Sequence, residues 1–254
     1  MFGKWFLCCA SALVVCGGAL VCRGEVAPDE KRIAEDTARG IKFSPDKRKL
    51  VKFKADLPDA EYTVPAGVTE IAYSAFSSCK NLKFVTFPEG VVTIGRNAFS
   101  NCKKLEKVAF PATLEKIEGG AFSDCGALAE MTLPAGVVEI GDRAFRNCAI
   151  ATLVFPAGVK KVGKGAFFGC KNLKEVTIPA AIKAVSGELF EGCKNLESVT
   201  FEPGVESIGI FAFNRCGKLK NVKLPESVKS IAKNAFRGCP CEAQLKKDHP
   251  ELIK

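Results

Sequence analysis

From Tyr62 onward the chain repeats one pattern of apolar and polar positions. Phe76, Phe99, Phe122, Phe145, Phe167, Phe190, Phe213 and Phe236 follow one another every 23 residues, with a single interval of 22 between Phe145 and Phe167. Three residues after each comes a cysteine: Cys79, Cys102, Cys125, Cys148, Cys170, Cys193, Cys216 and Cys239. Prolines keep the same beat at Pro65, Pro88, Pro111, Pro134, Pro156, Pro179, Pro203 and Pro225. In the unit from Cys79 to Phe99, Leu82, Val85 and Phe87 are interleaved with Lys83, Phe84 and Thr86. That spacing predicts a short strand with its apolar residues turned inward. Pro88 ends the strand, because proline cannot donate to a ladder. A second apolar pair follows (Val91 and Ile94 here, Val137 and Ile140 or Val205 and Ile208 elsewhere). Gly95, Gly141, Gly163 and Gly209 then mark a turn into the segment whose Phe and Cys return to the core.

One such unit cannot bury four or five apolar side chains alone, whereas stacked units cover one another. The expected fold is a parallel β-solenoid of about eight rungs, mostly β with irregular or short helical segments opposite the strands. At about 4.8 Å per rung it would be roughly 40 Å long.

The frame C-x-x-L-x-x-V-x-Φ-P-x-x-V-x-x-I-G-x-x-A-F, with Φ apolar, resembles the BspA-like, treponemal-type leucine-rich repeats over Tyr62 to Cys239. The resemblance implies a surface-exposed or secreted microbial protein, often an adhesin that binds host proteins or neighbouring cells. Departures from the frame are few. Leu189 replaces the Ala before Phe190, and Ala72, Glu118, Ser186 and Ala232 replace the turn glycine. One residue is missing around Ile150, where a local change of curvature is expected, and Glu202 is inserted before Pro203.

The ends lie outside the frame. Residues 1–24 carry Lys4 and then an apolar run from Trp5 to Cys22, interrupted by Ser11, Gly17 and Gly18. This suits a secretory signal cleaved after Gly24, with an uncleaved anchor or a lipid on Cys16 or Cys22 as alternatives. Residues 25–61 read as a flexible leader followed by an N-terminal cap, with Leu50–Pro65 as a degenerate first rung. Residues 62–239 form the solenoid, and 240–254 a polar C-terminal cap or tail. A secreted or cell-surface (periplasmic) location follows, with membrane contact only if the N-terminus is retained or lipidated.

Composition narrows the chemistry. Thirteen cysteines are present, but the eight in the repeat fall once per rung and read as small buried hydrophobes. Only Cys239 and Cys241 approach metal-ligand spacing, and their redox state is left open. His249, the single histidine, sits in the polar tail, so no Cys–His pair is expected. The glycines recur with the rung and form no phosphate loop. A non-enzymatic protein without cofactor or metal is expected.

Binding is the remaining class. The outward strand positions, Lys83, Phe84, Thr86, Glu106, Lys107, Glu130, Lys174, Glu175, Lys220, Asn221 and Lys223, read as a platform of seven strands. Its area would be on the order of 700 Å², near one partner's share of a standard interface. Phe84 is the one large aromatic expected to be exposed there. Charge adds a second surface. Residues 62–147 hold 9 basic and 9 acidic residues, whereas 148–239 hold 14 and 7. Lys160, Lys161, Lys164, Lys171, Lys183 and Lys194 form the expected basic patch, suited to a sulfated glycan or an anionic surface. Proteins or glycans at a host or cell surface are the expected partners, and a structural component of the cell envelope is the further alternative. Nucleic acid is not, in an exported chain without aromatic interleaving.

Overall fold

The computed structural model describes residues 26–254, together with the backbone of two short strands, Val14–Cys16 and Ala19–Val21, which pair antiparallel. The remainder of the expected export segment lies outside the described residues. Eight rungs, numbered 1 to 8 by the phenylalanines from Phe76 to Phe236, stack about one strand spacing apart into a parallel β-solenoid with little helix. The inward residues of each rung meet the same residues of the next. The eight phenylalanines and Phe53 therefore form one continuous stack, with neighbouring ring centroids 4.5–5.7 Å apart. Phe87, Phe110, Phe155 and Phe201 approach this stack edge-on.

The corner that carries Phe and Cys is held by two sets of rung-to-rung bonds. The N–H of each Phe donates to the carbonyl of the residue before the next Phe, as in Phe122 to Ala144 (2.7 Å), Phe145 to Ala166 (2.8 Å) and Phe167 to Leu189 (3.0 Å). In return, each cysteine Sγ–H from Cys102 to Cys239 donates to the Phe carbonyl of the preceding rung, at 2.9–3.3 Å. The eight repeat cysteines and Cys241 are buried free thiols. Burial pushes the thiols of Cys148, Cys170 and Cys193 up, as for any thiolate removed from water.

Two residues in each of rungs 1 to 7, and one in rung 8, take left-handed backbone at this corner, and Asn, Asp, Ser or Gly usually fills the place, as at Asn97 and Asn101 or Gly165 and Gly169. Short polar side chains and glycine adopt that conformation at least cost.

Two strand ladders run along the other sides. The short ladder lies over the Val-x-x-Ile segment. It pairs Ile71, Ile94, Ile117, Ile140 and Val162 in parallel register, and a separate three-stranded sheet pairs Val185, Ile208 and Ile231. The long ladder lies over the segment before the proline, and it is interrupted. Glu61–Thr63, Phe84–Thr86 and Lys107–Ala109 form one sheet, while Glu175–Ile178, Ser198–Phe201 and Asn221–Lys223 form another. Between them only a bridge from Lys107 to Glu130 remains, and residues 151–155 are in no strand.

The missing residue explains the gap. It falls between Cys148 and Ile150, in the turn that enters the strand segment: Ile150 follows Cys148 by two positions where Leu128 follows Cys125 by three, and the spacing from Ile150 to Pro156 is unchanged. A turn one residue short leaves the strand's apolar residues in phase with one another but pulls their backbone out of ladder register with its neighbours. Rung 5 keeps Ile150, Leu153 and Phe155 buried and gives up its ladder bonds instead. The magnitudes favour that outcome. Each buried apolar side chain contributes about 1.5–3 kcal/mol, and a backbone bond that water can replace contributes about 0.5–1.5 kcal/mol.

Both ends are closed by ordered caps. Residues 25–54, expected in part as a flexible leader, carry helix α1 (Glu30–Ala38) and an antiparallel pair, Lys42–Phe43 with Lys49–Lys52. Burial of Ile33, Ile41, Leu50 and Phe53 on the first rung orders this segment. Asp29 caps α1 by accepting the Arg32 N–H at 3.0 Å, and the Tyr62 hydroxyl donates to buried Asp36 at 2.7 Å. At the other end, helix α2 (Glu242–Asp248) buries Leu245, and the terminus pairs with the last short strand, Ile231 N–H donating to Leu252 at 2.7 Å. Among the described residues no helix is long and apolar enough to cross a membrane.

Candidate interaction surface

Strand alternation delivers the outward positions of the long ladder to solvent wherever the strand forms. Val85 is buried between Phe84 and Thr86, and Val176 between Glu175 and Thr177. The break then divides the expected platform into two patches. The first carries Lys83, Phe84, Thr86, Glu106, Lys107 and Glu130. The second carries Lys174, Glu175, Lys220, Asn221 and Lys223. The single flat sheet of seven strands is therefore corrected to two sheets of three. Phe84 is also half-buried, so the first patch offers no fully exposed aromatic anchor.

The two patches differ in how their charge is spent internally. In the first, Lys83 faces Glu106 at 3.4 Å and Lys107 faces Glu130 at 3.0 Å, each across neighbouring rungs. In the second, Lys174, Lys220 and Lys223 are exposed and form no ion pair among the described residues. Exposed pairs of the first kind contribute little to stability, but they do remove charge from the surface.

Between the patches lies a cleft of about 490 Å³, lined by residues from Ala129 to Leu133 and from Thr152 to Pro156, with Val154 73% exposed. The periodic frame does not reveal this feature; the shortened Cys148–Pro156 interval is its only trace in the sequence.

The expected basic patch is less uniform than its sequence. Lys161 pairs with Glu139 at 2.9 Å and Lys164 with Glu188 at 3.0 Å. Lys183 acts on Glu206, whose carboxyl is held below its usual range first of all by its bond to Lys229. Lys160, Lys171 and Lys194 are exposed without an ion pair among the described residues. The six lysines thus do not act as one continuous cationic stripe.

His249 is partly exposed, with Nδ1 3.8 Å from Glu251, and has no cysteine beside it among its bonds. Among the described residues no group of three or more His, Cys, Asp or Glu could hold a metal ion.

Residues 53–174 and 138–246 match the BspA type Leucine rich repeat region family, in 6 copies. A leucine-rich repeat protein from Bacteroides ovatus is similar over 79% of this chain, at 28% identity and a TM-score of 0.70, and 55% of that protein is covered. The T. pallidum Leucine Rich Repeat protein is similar over 74% of this chain, at 30% identity and a TM-score of 0.61, and 89% of it is covered. A leucine rich cell surface protein from Faecalibacterium prausnitzii is 21% identical with a TM-score of 0.42, over 80% of this chain and 84% of that one. The chain thus spans little more than half the length of the Bacteroides ovatus protein. No curated protein matches the chain.

Proposed function

The chain belongs to the BspA-type leucine-rich repeat family, and from that premise we propose that it is an exported, non-enzymatic binding protein that engages macromolecules at a cell or host surface. Repeat solenoids of this kind bind through extended surfaces, and their function resides in the surface and not in the fold alone. The observation that carries the reading is the second patch. Its lysines, Lys174, Lys220 and Lys223, stand on or beside one three-stranded sheet, exposed and without an ion pair among the described residues. Such a surface favours a protein partner with complementary acidic groups and gains little from burying the charges alone. The first patch, already paired internally, contributes shape.

The test is capture from a cell-surface extract with the mature chain as bait, beside the triple variant Lys174→Glu, Lys220→Glu and Lys223→Glu. The expected result is a defined protein retained by the native chain and lost with the variant. A partner that survives the triple reversal and is lost instead with Lys83→Glu/Lys107→Glu would move the interface to the first patch. Failure of both baits to enrich anything over a charge-matched control would overturn the reading.

A further inference from the structure

A groove of about 760 Å³ crosses rungs 2 to 5 on the side of the short ladder, away from the long-strand sheets. It exists because rung 3 carries no side chain where its neighbours do. Gly119 and Gly120 occupy the two positions filled by Arg96 and Asn97 in rung 2, and by Asp142 and Arg143 in rung 4. Gly120 lies in the left-handed region at φ +65°, and a Cβ there would meet Asn97 Oδ1 at 2.1 Å, so this opening depends on glycine.

The lining holds six cations, Arg96, Lys116, Arg143, Arg146, Lys161 and Lys164, against three carboxylates. Four of the six are engaged. Lys116 and Lys161 face Glu139 at 3.8 and 2.9 Å, Lys164 faces Glu188 at 3.0 Å, and Arg146 faces Asp124 at 3.2 Å. Arg96 and Arg143, on either side of the Gly119–Gly120 opening, are exposed and have no ion pair among the described residues.

Backbone donors point to the same place. The Arg96 N–H donates to the Glu118 carboxylate at 2.9 Å and the Lys164 N–H to Asp142 Oδ1 at 2.8 Å. The equivalent N–H groups of Gly119 and Asp142 have no acceptor among the described residues. Glycines, Gly141 and Gly163, stand where a capping side chain would, and a Cβ on either would lie 2.4 Å from the open nitrogen.

We propose that this groove binds an acidic oligosaccharide. A carboxylate or sulfate group sits over Gly119 between Arg96 and Arg143, where charge-assisted bonds and the open backbone donors converge. Sugar hydroxyls donate to the lining carboxylates Glu118, Glu139 and Asp142. The lining contains only charged residues, Asn97, Ser123 and glycines. It therefore lacks the aliphatic or aromatic pocket that anchors a bound peptide. This site is independent of the long-strand patches and does not rest on the reading given for them.

Calorimetric titration at physiological salt with a heparin-derived hexasaccharide, beside uncharged maltohexaose and poly-glutamate, tests the proposal. The hexasaccharide is expected to bind and maltohexaose not to. Arg96→Gln/Arg143→Gln should weaken binding about tenfold or more. Gly119→Leu retains every charge but fills the opening, and should weaken it comparably. The added Cβ meets Asp142 O at 3.3 Å, so the backbone accommodates it with a small shift. The control Lys218→Gln/Lys233→Gln, two exposed lysines outside the groove, should change affinity less than about twofold. Thermal melts of each variant check that the solenoid stands. No hexasaccharide binding, an equal loss in the Lys218/Lys233 control, or full binding by the Gly119→Leu variant would each overturn the proposal. So would tighter binding of poly-glutamate, which would make the groove a site for acidic peptides.

Discussion

At rung 5 the Phe–Cys corner and the long-strand face receive the same chain, one residue short, and respond in opposite ways. The corner passes through without a fault: Phe145, Phe167 and Phe190 stack at 5.4 and 5.7 Å, and Cys170 reaches Phe145 at 3.2 Å. The long-strand face loses its ladder on both sides of residues 151–155. The Phe and Cys of the corner are buried and make their bonds out of reach of water, so a fault there would leave unsatisfied polar groups and empty volume. The long-strand backbone lies beside solvent, where water takes over a lost bond at small cost. A repeat protein can therefore absorb a deletion on an exposed face and not in its spine.

The largest expected effect comes from breaking the spine. Phe145→Ala removes a ring stacked between Phe122 and Phe167, and a buried Phe→Ala change costs about 3–5 kcal/mol. Chemical denaturation should show this loss together with a less cooperative transition, because a solenoid is stabilised by its rung-to-rung interfaces. Val154→Ala on the exposed face of the same rung should stay within about 0.5 kcal/mol, and equal losses for the two would erase the contrast.

A repair sharpens the comparison from the other side. Inserting one Asn between Ala149 and Ile150 restores the three-residue step from Cys148 to Ile150 that the other rungs have from Cys to Leu. Two to four regained ladder bonds should add about 1–3 kcal/mol. Hydrogen exchange at residues 151–155 should slow, and the cleft beside Val154 should close. An insertion that leaves exchange unchanged would show that the gap has another cause.

The smallest effect concerns the short ladder, where Glu139 and Lys161 face each other across rungs 4 and 5. The bond to Lys161 holds the Glu139 carboxyl below its ordinary range. A depressed carboxylate contributes stability above its unfolded pKa and loses it as the pH falls through the lowered folded value. Glu139→Gln should therefore slightly flatten the acid limb of stability against pH and change nothing at neutral-to-alkaline pH beyond the loss of its two pairs, with Lys161 and Lys116. An undiminished acid limb in that variant would assign the dependence to other carboxylates.

Much of this was legible in the residues. Phe, Cys and Leu at fixed offsets announce inward positions, and all eight phenylalanines and eight cysteines of the frame are buried. The Asn, Asp and Gly positions of the corner were present in the same frame as a second, unread signal for left-handed backbone. The consecutive Gly119–Gly120 pair was likewise visible as a rung without side chains. What these residues face was not visible, because neighbours across rungs lie 22 or 23 residues apart in sequence.

Period and polarity alone thus determined the solenoid, its number of rungs and its core, since each rung can bury its apolar residues only against a copy of itself. The tertiary structure decided the rest. It chose burial of Ile150, Leu153 and Phe155 over ladder bonds, and so split one expected platform into two patches. It also neutralised Lys161 and Lys164 against Glu139 and Glu188, and gathered Arg96 and Arg143, 47 positions apart, onto one groove. Those outcomes depend on competition between burial and hydrogen bonding and on lateral charge neighbours, which a pattern read along a single chain does not contain.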